Sequence, residues 1–232
     1  MRHTVTFILL CCFLGAAAAV PYETLAERAD RSYQWREWAS AAALYELMLD
    51  RRPEVPESYA RAIVATEMIP DTTSSTVLME RAMQHGIAID SLLVDVRAES
   101  FAQSEPGLYP AYLMRLHRRL PWMRRALDHE LLTYYVFRND GPNMVKYARV
   151  MLEGLPDSPE FLSILARGHM LQGQLDDAAA IWQKILTAAP DNYEALTYLA
   201  CYWRERGDET AAAPYVERAS AIRPSPFLTP AR

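Results

Sequence analysis

His3, His85, His117, His129 and His169 are the side chains best suited to move a proton or hold a metal near neutral pH. No two stand four apart around a glutamate. His129-Glu130 begins like the zinc-protease helix, but Thr133 occupies the place of its second histidine. The glycine-framed serine of a hydrolase elbow, the phosphate-binding loop and the dinucleotide-binding turn are all missing. Of the three cysteines, Cys11 and Cys12 lie in an apolar N-terminal run. Cys201 alone makes neither an internal disulfide nor a cysteine-rich metal site, and Arg204 is thin support for an activated thiol. Asp176-Asp177 opens a helix, where negative charge suits the dipole better than it suits a metal. The residues therefore predict no catalytic group, no metal and no cofactor.

Charge gives the most unusual local pattern. Between Pro106 and Leu127 stand Arg115, Arg118, Arg119, Arg124 and Arg125, without one acid, with His117 and Trp122 among them. Guanidinium groups at this density suit a phosphate, a lipid headgroup or an acidic partner segment. Arginines near a helix C-terminus also complement the dipole, and the acids elsewhere can pair with them.

These residues must be carried by elements, and the composition says which. Of 232 residues 51% are apolar and 23% charged, with only 8 glycines. Such a chain can bury a core, and it favours helices over a turn-rich β fold. The net charge of −5 gives no basic field to attract nucleic acid. Met1-Arg2-His3, the apolar run from Thr4 to Gly15 and the small residues Ala16–Ala19 form the three parts of a secretory signal peptide. Cleavage after Ala19 gives a mature start at Val20. The rival is a lipoprotein signal at Cys11, but Leu10 precedes it where a small residue is wanted. No later segment approaches the about 20 apolar residues that span a bilayer. The expectation is an exported protein, soluble once mature, working in a bacterial periplasm.

Prolines set a period. Pro53 and Pro121 are 68 residues apart; Pro121, Pro156, Pro190 and Pro224 then follow at 35, 34 and 34. A proline at a fixed interval stops a helix at the same point of every unit. Leu162, Leu165, Ala166, His169, Ala178, Trp182 and Pro190 match Leu196, Leu199, Ala200, Trp203, Ala212, Val216 and Pro224. Gly173 and Gly207 fall at the same turn. This pattern resembles the tetratricopeptide repeat (TPR) family. Upstream units are more degenerate but keep the frame. Leu25, Ala29, Ala41 and Tyr45 mark the first, and Tyr59, Ala62, Met79 and Ala82 the second, with a turn at Pro70-Asp71. Leu93, Val96, Tyr109 and Leu113 mark the third. After a slip of one residue, Leu131, Tyr135, Ala148 and Pro156 mark the fourth.

The resemblance implies an all-α fold, a right-handed superhelical array of about six antiparallel helical hairpins. The units lie near 22–55, 56–89, 90–123, 125–158, 159–192 and 193–224, in one domain over 20–232 with a tail at 225–232. It implies a scaffold that binds another protein or a peptide on the concave face of the first helices. Inward positions there include Tyr33, Val64, Val94, Phe101, His129, Arg167, Met170 and Arg204. The family's carboxylate-binding residues are not matched, because Ala26, Asp30, Ala60 and Val64 occupy those positions. Two rival readings are a lipid-anchored subunit of an envelope assembly and an enzyme with a site hidden in the concave face. The last hairpin lacks a covering helix, so Phe227 and Leu228 should fold back on it, or that end should self-associate.

Overall fold

A computed structural model describes residues 20–70 and 74–224. The signal-like segment 1–19, Asp71 of the expected turn, and the tail with Phe227 and Leu228 lie outside the described residues. Within them the chain forms twelve α-helices and no strand, and the helices pack in successive pairs. The all-α hairpin architecture expected from the repeat is the one observed.

The helices belong to two compact units, one ending at Arg119 and the other beginning at Leu120. The first holds α1 (Tyr22–Gln34), α2 (Trp38–Arg51), α3 (Pro56–Glu67), α4 (Ser74–Gln84), α5 (Ile89–Ala102) and α6 (Leu108–Arg119). The second opens with a 3₁₀ turn, Pro121–Met123. It continues with α7 (Arg124–Arg138), α8 (Gly141–Gly154), α9 (Pro159–Leu171), α10 (Leu175–Ala188), α11 (Tyr193–Glu205) and α12 (Glu209–Ile222). The division falls where the period slips by one residue. Pro121 has no N–H to continue a helix from α6, so a tighter turn intervenes.

The repeat positions read from the sequence are the core of each unit. Ala29, Ala41, Tyr45, Tyr59, Ala62, Met79, Val96, Tyr109 and Leu113 are buried in the first unit, and Leu131, Ala148, Ala166, Ala178, Trp182, Leu196 and Ala200 in the second. On α10, Ala178, Ala179, Trp182, Ile185 and Leu186 make one apolar stripe at helical spacing, packed against α9 and α11. In the second unit α8 and α9 meet backbone to backbone. A Cβ at Gly141 would lie 2.9 Å from the Gly168 carbonyl oxygen, and one at Gly168 would lie 3.1 Å from the Gly141 oxygen.

One backbone device closes the hairpins. A left-handed residue ends the helix at Arg36 (φ 60°), Ser104 (62°), Asn139 (52°), Gly173 (74°) and Gly207 (75°); at Asn139 it is the C-cap itself, elsewhere the residue after it. Each time, its N–H returns to the carbonyl three residues back, and the next N–H to the carbonyl five back. Examples are Arg36 to Tyr33 with Glu37 to Ser32, and Gly207 to Arg204 with Asp208 to Trp203. This is the Schellman closure, which satisfies carbonyls that the helix leaves open. It recurs in the register of the repeat at five hairpin turns, with glycine at the last two, and once more at Gly86 (φ 76°) after α4.

Candidate functional site: the first-helix row of each unit

In the first unit, three first helices are latched together by charge. Arg61 of α3 donates Nη1 to Asp30 of α1 at 2.8 Å and Nε to Glu99 of α5 at 3.1 Å. The Tyr45 hydroxyl of α2 donates to the same Asp30 oxygen at 2.7 Å, and the Tyr33 hydroxyl donates to Glu99 at 3.2 Å. Burial, helped by the adjacent carboxylates, raises both tyrosine pKa values, so the phenols stay protonated and act as donors. Burial pulls the Arg61 guanidinium down, but the Glu99 hydrogen bond and charge more than offset that, and its pKa is raised. Arg61 is a fixed cation between two acids. Asp30, Tyr33, Gln34, Arg61, Glu99 and Gln103 surround a pocket of about 230 Å³.

This pocket was not among the sequence-derived candidates. Its signal was present as charged residues at or beside inward positions of three successive first helices, about one repeat apart. A basic, carboxylate-binding pattern calls for no acid at those positions, and Asp30 departs from it.

The structure corrects two candidates. Val64 is fully buried, because α5 packs directly on α3 and eight side chains of α3 are withdrawn from water. Tyr33 is 4% exposed, its ring edge-on to Trp38 and Tyr45 and its hydroxyl committed to Glu99. Val64 offers no surface to a partner, and Tyr33 contributes only to the wall of the pocket around Arg61. Val94 is exposed and Phe101 half-buried.

The second unit carries a row of a different kind. His129 of α7 is exposed, with its ring edge-on to Phe161 of α9, and Ser163 of α9 donates to Glu194 of α11 at 3.0 Å. Phe137 and Leu171, 34 residues apart in the repeat register, end α7 and α9 with large exposed apolar side chains, 74% and 51% accessible. Met170 is partly buried against the core of its unit. Arg167 is half-buried and makes no ion pair among the described residues. Arg204 meets Glu209 at 3.4 Å.

The arginine stretch divides. Arg115, Arg118 and Arg119 border an open cleft of about 500 Å³ with Thr76 and Val77. Two of the three are committed. Arg115 is ion-paired to Glu67, whose side chain is almost wholly buried and also accepts from Ser75. Arg119 grips both oxygens of Glu80, at 2.9 and 3.4 Å. Arg118 is exposed, with no ion pair among the described residues. Arg124 and Arg125 belong to the second unit, where the Arg125 guanidinium lies against Gly154. Long-range acids, invisible to a local count of charge, neutralise two of the five arginines, Arg115 and Arg119.

No family model matches the sequence, and no curated protein does. Solved structures do. The C-terminal part of a TPR repeat-containing protein from Cytophaga hutchinsonii superposes with a TM-score of 0.50 at 14% identity, over 84% of this chain and 77% of that one. PilW, a type IV pilus biogenesis factor, superposes with a TM-score of 0.50 at 17% identity, over 91% of this chain and 98% of its own. At these identities the likeness is one of fold.

Proposed function

We propose, for a chain whose fold is that of the tetratricopeptide-repeat proteins, an exported scaffold with no enzymatic activity that holds a segment of another protein on its first helices. The observation that carries this is the pair Phe137 and Leu171. Large apolar side chains held in water at equivalent positions of adjacent helices favour burial under a partner. His129, Arg167 and Met170 of the same unit are the further residues proposed to meet that partner, and Val94 and Phe101 are proposed as contacts of the first unit by itself. Arg167 supplies a charge for an acidic side chain beside an apolar one. For an anionic ligand Arg118 is the proposed contact of the first unit, and Arg124 and Arg125 are those proposed for the second. Export rests on residues 1–19 of the sequence. No helix among the described residues is long and apolar enough to cross a membrane.

Panning a random-peptide library against the protein beginning at Val20 tests the reading. The expected result is enrichment of short sequences that combine large apolar residues with acids. Enriched peptides should lose binding to the Phe137→Ser/Leu171→Ser variant while its melting temperature stays near that of the parent. Failure to enrich any sequence, or full binding by the variant, overturns it.

A further inference from the structure

The pocket among α1, α3 and α5 has acceptor capacity that the protein leaves unused. Asp30 Oδ1 takes both the Tyr45 hydroxyl and Arg61 Nη1, and Oδ2 takes nothing among the described residues. The Glu99 oxygens accept one bond each, from Arg61 and Tyr33, although a carboxylate has about four acceptor positions. The side-chain amides of Gln34 and Gln103 make no hydrogen bond among the described residues.

The field at this place is negative. Gln34 ends α1, and Glu99 and Gln103 stand in the last turn and at the C-cap of α5, so the negative ends of two helix dipoles border the pocket. Among the residues that line the pocket, Asp30 and Glu99 outnumber Arg61 by one charge. Arg61 does not reverse this, because it is held between the two acids. The chain also shows what such a site accepts. Arg36 Nη2 donates to the Gln103 carbonyl at 3.0 Å, placing a guanidinium at the end of α5. A pocket of about 230 Å³ is several times the roughly 30 Å³ that one water occupies. It has room for a side chain, not for an element of structure.

We propose that this pocket receives the basic side chain, lysine or arginine, of a peptide bound along the first helices of this unit. The inference rests on the scaffold reading and adds to it the chemistry of one ligand residue. The ammonium or guanidinium group donates to Asp30 Oδ2 and to the side-chain carbonyls of Gln34 and Gln103. Glu99 supplies the balancing charge. An acidic side chain in the same place would meet the carboxylates and both helix C-termini.

The test follows the side-chain amide signals of Gln34 and Gln103 by NMR while Nα-acetyl-lysine amide is added. Nα-acetyl-norleucine amide, which keeps the stem without the charge, and Nα-acetyl-glutamate amide serve as comparisons. The expected result is saturable movement of both amides with the lysine compound. Binding of the norleucine compound should be weaker by about tenfold, the loss of one charge-assisted contact. Asp30→Asn should weaken lysine binding similarly. Gln34→Leu and Gln103→Leu, whose side chains make no hydrogen bond to Arg61 or Tyr45, should do the same, read from backbone signals of the pocket. Amides that stay still, or that respond equally to norleucine or glutamate, overturn the proposal. Library panning reads the Phe137 and Leu171 row independently. Peptides enriched there beside a silent pocket would end this inference alone. A responsive pocket beside failed panning would instead end the assignment of that row.

Discussion

Ser104 holds a left-handed backbone that a side chain disfavours by roughly 1–2 kcal/mol. Its counterparts in the last two hairpins are glycines. Ser104→Gly should therefore stabilise the protein by about 0.5–1 kcal/mol, net of the extra freedom glycine gives the unfolded chain. Gly173→Ala should cost about 1 kcal/mol. Denaturant midpoints measure both, and equal shifts of the same sign would contradict the closure described for these turns. The arginines separate just as clearly. Arg115→Ala leaves the Glu67 carboxylate buried without its cation and should cost about 3–5 kcal/mol. Arg118→Glu removes a surface charge with no ion pair among the described residues and should stay within about 0.5 kcal/mol of the parent. If the two variants lose the same stability, the assignment of Arg115 to structure and Arg118 to surface is wrong.

Side-chain caps occur on four helices of the second unit, though not on α7 or α10, which begin after Met123 and Gln174. Asp140, Ser158, Asn192 and Asp208 each accept a backbone N–H of the first turn of α8, α9, α11 and α12. Helices α1, α2, α3 and α5 begin at Pro21, Glu37, Val55 and Ala88, without a side-chain cap. Asn192→Ala should cost about 1 kcal/mol. Repeat arrays couple mainly to neighbours, so the loss should appear chiefly in α9–α12. Amide exchange should be slower in α9–α11 than in α3–α6. Uniform protection across these helices would refute the difference. Helix α12 is the exception, because Pro214 interrupts its hydrogen bonding and only Ala212 and Ala219 are buried.

For the whole chain, the described fold begins after the apolar N-terminal run, with α1 starting at Tyr22. Mass analysis of the protein from its native host should find an N-terminus at Val20. A chain retaining Met1 would refute export by cleavage. A mass carrying acyl chains on Cys11 would replace it with the lipid-anchored reading. The protein beginning at Val20 should melt at the same temperature as the full chain. A lower melting point would mean that residues 1–19 belong to the fold.

The sequence by itself determined the hairpins and their core. A period of 34 with small or aromatic residues at fixed offsets can bury its apolar stripes only by stacking, and positions such as Ala29, Tyr59, Trp182 and Leu196 are indeed interior. Local chemistry was also legible where one residue type reports it, as at Gly173 and Gly207. Arg36, Ser104 and Asn139 adopt the same backbone without announcing it, because the closing hydrogen bonds join main-chain atoms and ask little of the side chain. Only the tertiary structure decided which inward positions meet water. Val64 disappears under α5, while Val94 stays outside. It alone showed that Glu67 and Glu80 neutralise Arg115 and Arg119, across 48 and 39 residues of chain, and that Asp30, Arg61 and Glu99 converge. Periodicity assigns a residue to a face of its own helix. Whether that face is free, and what charge stands opposite, depends on how closely the next helix packs and which side chain it carries.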